Sequence, residues 1–321
     1  MIKLGIQIIP DMAVQEVGDT IRAAEELGYD FCLLADEGFM PDVYVCLGAA
    51  AQRTARIRLG PVTNGYTRHP AVTAAALATL NEISGGRALA TLVAGGSMVL
   101  PPMGILRESP LTVVRESLEV MRRLWTGEAV TWQGQRYRLE AARLSRGAQT
   151  IPVWLAVRGD KLLELAGREA DGVMLMAKSD LASAIGIVER SSIGRSRPPQ
   201  RLYLDRIAYT PEMLAGAAYS YTYAIMDSPG RMLRGLELSD EEIAQLRQAV
   251  ATGGPAAAAK LVTADMIKKY QIAGPLPECR ETLRALIAAH QLDGFVLNIV
   301  SGGLAANIRL MTDTRSIVND Q

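Results

Sequence analysis

Histidine is nearly absent from this 321-residue chain: only His69 and His290 carry an imidazole, so no His-rich metal site can be assembled. Cysteine is almost as scarce. Cys32, Cys46 and Cys279 lie far apart, form no CxxC pair, and read as reduced thiols rather than a disulfide framework. An excess of either charge is missing too. Lys+Arg and Asp+Glu stand at 34 each, which argues against nucleic acid or an anionic membrane as the main partner. Long apolar runs are lacking, since residues 89–93 are too few to span a bilayer. The opening MIKLGIQIIP has no apolar core and cleavage site of the secretory kind. These features predict a cytoplasmic protein. Neither a GxSxG elbow nor a Cys-His arrangement supports nucleophilic catalysis. With no metal set and no nucleophile, an organic cofactor is expected to carry the chemistry, and periodicity does not say which.

What is present is an alternation. Hydrophobic residues make up 49% and charged residues 21%, an ordinary globular balance. Short β-branched runs alternate with helical patterns, which implies a parallel sheet with crossover helices. Strands are expected over 3–9, 31–35, 57–62, 88–94, 152–156, 172–176, 201–209 and 294–300. The first helix has Val14, Val17, Ile21, Ala24 and Leu27 at helical spacing and stops at Gly28. Others are expected over 43–53, 70–83 (Pro70 in its first turn, Gly85 and Gly86 beyond its end), 110–125, 161–169, from Ser179 as N-cap, within 211–287, and over 304–311. A hairpin of 129–132 with 136–139 turns at Gln133-Gly134. Eight strands in βα order are the number a closed (β/α)8 TIM barrel needs. The competing doubly wound sheet would show GxGxxG after its first strand, where this chain has Ile9-Pro10-Asp11. We therefore expect one barrel domain over 1–321, with insertions at about 98–150 and 211–276.

In such a barrel, active sites collect at the carboxyl ends of the strands. The positional candidates are Gln7, Asp36-Glu37, Val62-Thr63-Asn64, Gly95-Gly96-Ser97, Val157-Arg158-Gly159, 176–179, Tyr209 and 298–303. Arg158-Gly159-Asp160-Lys161 opens a helix, so its amides and two cations suit a phosphate, or it is a plain βα turn. Ser301-Gly302-Gly303 is a weaker case of the same kind. Side chains of neighbours diverge, so at most one of Asp36 and Glu37 is expected to point inward, as proton donor, ring acceptor or helix cap. His69 suits a backbone bond at a helix mouth, His290 a structural helix end, and Cys32 the core. Arg190, Arg195, Arg197, Arg201 and Arg206 suit either an anionic tail or a solvated loop.

The run Val62-Thr63-Asn64-Gly65-Tyr66-Thr67-Arg68-His69-Pro70, continued by Asn81-Glu82-Ile83-Ser84-Gly85-Gly86-Arg87, resembles the bacterial luciferase-like superfamily. It is most similar to the branch of methylenetetrahydromethanopterin reductase, which depends on coenzyme F420. Leu163-Glu164-Leu165-Ala166-Gly167 and Ala170-Asp171-Gly172-Val173 add to the likeness, which covers most of the chain to about residue 180 and then its end. The resemblance implies a barrel with a non-prolyl cis peptide between Pro61 and Val62, whose bulge backs the cofactor ring. It implies that Asp36, Pro61, Val62, Thr63 and Asn64 line a deazaflavin, with Gly95, Gly96, Val157, Arg158 and Gly159 at its ring or phosphate. It also implies a homodimer, for which Ala74, Ala75 and Ala78 allow close helix approach or serve internal packing.

Departures from that pattern bear on the chemistry. The branch carries glutamate where this chain has Gln7, an acid where it has Ser97, and often histidine where it has Glu37. A neutral amide cannot act as a general acid, so Glu37 becomes the expected proton donor, and methylenetetrahydromethanopterin is not the expected substrate. Three functions follow: an F420-dependent oxidoreductase acting on a small organic molecule, an FMN-dependent monooxygenase, or a catalytically silent barrel that binds a cofactor or ligand.

Overall fold

The computed structural model describes residues 2–97, 99–300 and 302–319. Its strands are β1 (Lys3–Ile8), β2 (Phe31–Ala35), β3 (Arg58–Thr63), β4 (Ala90–Val93), β5 (Val130–Gln133), β6 (Arg138–Ala142), β7 (Val153–Ala156), β8 (Gly172–Leu175), β9 (Gln200–Asp205) and β10 (Gly294–Ile299). Its first six helices are α1 (Val14–Glu26), α2 (Val43–Arg53), α3 (Pro70–Ile83), α4 (Pro110–Leu124), α5 (Asp160–Glu169) and α6 (Leu181–Ser191). Between β9 and β10 come α7 (Pro211–Asp227), α8 (Gly230–Gly235), α9 (Asp240–Ala259), α10 (Ala264–Tyr270) and α11 (Leu276–His290), and α12 (Leu304–Asn319) follows β10. Eight strands close in the order β1-β10-β9-β8-β7-β4-β3-β2, with β5 and β6 as a separate antiparallel pair. A helix follows each barrel strand, so the fold is a (β/α)8 TIM barrel.

Period-2 alternation sorts the strand side chains between two cores. Phe31, Leu33, Val62, Leu89, Trp154, Met174, Leu202 and Val296 fill the barrel interior. Leu4, Ile6, Ile8, Leu34, Leu59, Val173 and Phe295 face the helices. Phe31 and Trp154 meet edge to face at 4.8 Å near the amino end of the strands. Gly5 makes room for them: a Cβ there would sit 2.0 Å from the Phe31 ring. At that same end Asp30, Asp171 and Asp293, each just before a strand, accept the amides of Leu4 (2.8 Å), Val153 (2.8 Å) and Arg201 (2.7 Å) on the neighbouring strand. Function is therefore left to the opposite, carboxyl end.

The two excursions differ in kind. In the first, α4 is itself the crossover helix, and the β5–β6 hairpin is the addition. Glu116 of α4 pins it by accepting the amides of Gln135 (2.7 Å), Arg136 (2.9 Å) and Tyr137 (3.2 Å). In the second, α7 to α10 build a small core of their own from Tyr221, Ile225, Leu233, Leu236 and Leu246. A capping box at Ser239 and Glu242 starts α9, and Gly254-Pro255 kinks it.

Several expectations need correction. Among the described residues no peptide bond is cis, so the bulge expected between Pro61 and Val62 is absent. Instead β3 runs straight, pairing Pro61 with Leu34 and Val62 with both Ala35 and Thr91. The local irregularity is on the β4 side. Proline has no N–H to offer that ladder, so pairing lapses at Gly60-Pro61, and the Leu89 carbonyl approaches to 2.0 Å from where a Cβ of residue 60 would lie. Ser179 does not cap α6, because a 3₁₀ turn carries the chain through it to Asp180 as N-cap. The last helix runs to Asn319, eight residues past the expected end at 311, since Ile317 and Val318 are still buried. The arginine group is not one loop: Arg195 bonds the carbonyls of Gly167 and Ala170, and Arg206 turns to Ser220. Ala74 and Ala78 are buried within the chain and serve internal packing. Ser301 lies outside the described residues.

Candidate active site

At the carboxyl end of the barrel the chain encloses a cavity of about 550 Å³. Its wall takes Gln7 from β1, Asp36 and Glu37 after β2, Val62 and Asn64 at the end of β3, Gly95 and Gly96 after β4, and Val157, Arg158 and Gly159 after β7. Ten of the thirteen singled-out residues thus meet around one space. Ala156, Met174, Met176 and Leu204 form its apolar floor. Pro61 and Thr63 are buried outside the wall, and Ser97 is exposed outside it. The Thr63 hydroxyl donates to Asp36 at 2.9 Å, and the Ser97 hydroxyl donates to Asp227 at 2.8 Å.

Both acids after β2 border the cavity, contrary to the expectation of one. The strand has ended at Ala35 and the Glu37 amide folds back onto the Ala35 carbonyl at 3.1 Å, so strand alternation no longer separates them. Their roles differ. Asp36 is held by Thr63. Burial pushes the Glu37 carboxyl above the usual carboxylate range, the Asp36 charge adds to this, and Arg206 opposes it. Gln7 is 8% exposed, and its Oε1 has no partner among the described residues.

Across the barrel, α5 starts at Gly159, which offers no side-chain cap, so the first amides of the helix are available to an anion. A Cβ at Gly159 or Gly96 would meet nothing within 4 Å, which is the open space of the cavity side. Gly95 adopts φ +75°, a turn that suits glycine. Arg231 braces this edge by donating to the Arg158 carbonyl at 2.7 Å and pairing with Asp160 and Asp180.

Much of the recognisable run 62–87 proves to be scaffold. Asn64 accepts the amides of Tyr66 and Thr67, His69 caps α3 by accepting the Ala71 amide at 3.2 Å, and Arg87 clamps the carbonyls of Ala51, Thr54, Ile57 and Ser84. Sequence reasoning missed Arg107, Met226, Asp227 and Ser228, all in the cavity wall. They come from the excursions, where no strand end marks a position.

A parallel eight-stranded barrel with a ligand-sized cavity at its carboxyl end defines the class of protein: a TIM-barrel molecule with one cofactor-sized mouth. The family model described as luciferase-like monooxygenase matches residues 4–291, and the chain belongs to that family. It is 32% identical over 304 residues to a 5,10-methylenetetrahydromethanopterin reductase of Archaeoglobus fulgidus, covering 89% of this chain and 90% of that protein. It is 31% identical over 310 residues to the protein of the same name from Methanolobus tindarius, covering 93% of each. The solved coenzyme F420-dependent tetrahydromethanopterin reductase of Methanopyrus kandleri superposes with a TM-score of 0.86 at 25% identity, covering 97% of each chain.

Proposed function

We propose that this chain is an F420-dependent oxidoreductase that moves a hydride between the deazaflavin and a carbon of a small organic substrate. The mouth cavity carries this reading: one space of about 550 Å³ holds an anion-ready helix start, open glycines, an apolar floor and a carboxyl that burial raises above the usual range. Full-length similarity to reductases of the same fold supports it.

The residues fit such a cofactor. Glycines where a Cβ would meet open space leave a slot, and the α5 amides with Arg158 suit a phosphate. Val62, Asn64, Gly95 and Gly96 would border the ring, with Asp36 fixed beside it by Thr63. When bound, F420 supplies the hydride acceptor or donor. The chain's own residues do the rest. Ala156, Met174 and Leu204 keep water from the floor. Glu37 holds the proton that a substrate oxygen or nitrogen takes up when its carbon is reduced, and takes it back in the reverse direction. Gln7, a neutral amide, positions by hydrogen bonding and moves no proton. That difference argues against methylenetetrahydromethanopterin as the substrate.

Fluorescence titration of purified protein with F420 and with FMN tests the proposal. Tighter binding of F420, with no oxygen consumption, is the expected result. FMN preference with oxygen uptake would point to the monooxygenase instead, and affinity for neither ring would sink the reading. We also propose a cytoplasmic homodimer. Three unpaired, buried thiols suit a reducing compartment, and Val45 (70% exposed) and Val72 (50% exposed) leave apolar surface on the neighbouring helices α2 and α3. Sedimentation velocity checks the oligomer.

A further inference from the structure

We infer that Asp227 and Ser228, at the end of α7, form a subsite that recognises a hydrogen-bond-donating group, a hydroxyl or an amine, on the substrate. The inference deepens the function proposed above and rests on it for the identity of the cavity.

Four observations converge. Asp227 and Ser228 both line the mouth cavity although they belong to the second excursion, not to a barrel strand. The Asp227 carboxylate is held at one oxygen, Oδ2, by the Ser97 hydroxyl at 2.8 Å, across 130 residues of chain. Ser228 is 9% exposed and its Oγ has no partner among the described residues. Such an orphan hydroxyl costs stability unless something meets it. Finally, Asp227 ends the 17-residue helix α7 with no basic residue in its last turn. A carboxylate at a helix C-terminus adds to the partial negative charge of the unpaired carbonyls, which is an unfavourable place for it in isolation. At Asp227 and Ser228 the cavity edge thus offers a carboxylate and an unpartnered hydroxyl as acceptors. Two cations line the same cavity and are partly engaged: Arg107 donates Nε to the Ala94 carbonyl at 3.0 Å, and Arg158 reaches the Met176 sulfur at 3.7 Å.

Strand order places this subsite on the same arc of the ring as the proton donor. Ser97 follows β4 and Glu37 follows β2, with β3 alone between them, while Arg158 follows β7 on the far side of β4. A substrate seated along this arc would present its reacting carbon near Glu37 and its donor group to Asp227. Ser97 acts through Asp227 as a positioning residue, which replaces the catalytic role expected for it.

Saturation-transfer NMR with 1-aminopropan-2-ol, propane-1,2-diol and lactate as probes, on F420-loaded and on cofactor-free protein, tests this. The amine and the diol are expected to bind at least about fivefold more tightly than lactate, the worth of one hydrogen bond. Asp227→Asn, similar in shape, is expected to erase that ranking, and Ser97→Ala to weaken it about twofold to fivefold. Thermal melts of both variants close to that of the parent separate recognition from folding. Lactate binding as well as the amine to F420-loaded protein, an unchanged ranking in Asp227→Asn, or no binding of any probe to the parent protein would overturn the subsite. F420 titration of the same samples reads the proposed function separately, because the change of ranking between the parent protein and Asp227→Asn decides the subsite whether or not F420 binds.

Discussion

Glu37 and Asp205 are both acids raised by burial, and they have different consequences. For Glu37, which faces the cavity, a raised carboxyl keeps its proton to higher pH than an ordinary glutamate. Reduction of a substrate needs that proton, so its rate should fall as pH rises through the raised pKa, while the reverse reaction should rise over the same range. Glu37→Gln is expected to lower kcat by about 10² or more, remove that pH limb and leave F420 affinity unchanged. Steady-state profiles and fluorescence titration check both parts. Asp205 lies on the outer face of the barrel, accepting the Ile272 amide at 2.8 Å, the Arg206 amide at 2.6 Å and the Tyr203 hydroxyl. Burial outweighs these donors and pushes its carboxyl up to about 7. The unfolded value is about 3.9, so the folded state binds the proton more tightly. Its contribution to stability is complete below the unfolded pKa and is lost as pH rises through about 7. Melting temperature should therefore drop from about pH 4 to about pH 7 and level off above that, and Asp205→Asn should flatten that slope.

Elements were legible where a local signal and the tertiary fold agree. Strand β2 and helices α2 and α3 fall on their expected residues, because β-branched or apolar runs end at clear stops such as Gly85-Gly86 and start at Pro70. The hairpin was placed but shifted: β6 begins at Arg138, not 136, because Glu116 draws residues 135–137 into a turn held by its carboxylate. That anchor comes from a different element, so no local pattern reveals it. Glu116→Ala should leave three amides, one buried and two part-buried, without their acceptor and cost about 1–3 kcal/mol, read by urea unfolding. The boundary at Ser179 failed similarly. A serine before an apolar helix reads as an N-cap, but Asp180, pulled in by Arg231, ends the 3₁₀ turn instead.

At the scale of the molecule, barrel closure creates the site. It brings Gln7 beside Glu37 and sets Arg158 across from both, although 151 positions separate residues 7 and 158. The α7–α10 excursion then closes one edge through the Ser97–Asp227 bond. A ligand seated in this space contacts strand ends and excursion together and binds only the folded form. F420 at about 100 times its Kd should therefore add about 2.7 kcal/mol and raise the melting temperature by several degrees. Differential scanning fluorimetry with F420, and with FMN as comparator, measures it.

Alternation of β-branched runs with 3.6-residue periods was enough, read along the chain, to count eight strands, order them and mark their carboxyl ends, because these properties are local or follow from chirality and short connections. Position alone therefore named eleven residues that line the cavity, Met176 of its floor included. Other facts needed the folded chain. That Pro61-Val62 is trans and straight depends on partners in β2 and β4. That both Asp36 and Glu37 reach the cavity depends on where β2 stops. That Asp227 supplies the carboxylate at Ser97 depends on a hydrogen bond spanning 130 residues. Contacts between segments so distant in sequence leave no periodic trace, and only packing decides which side chains meet.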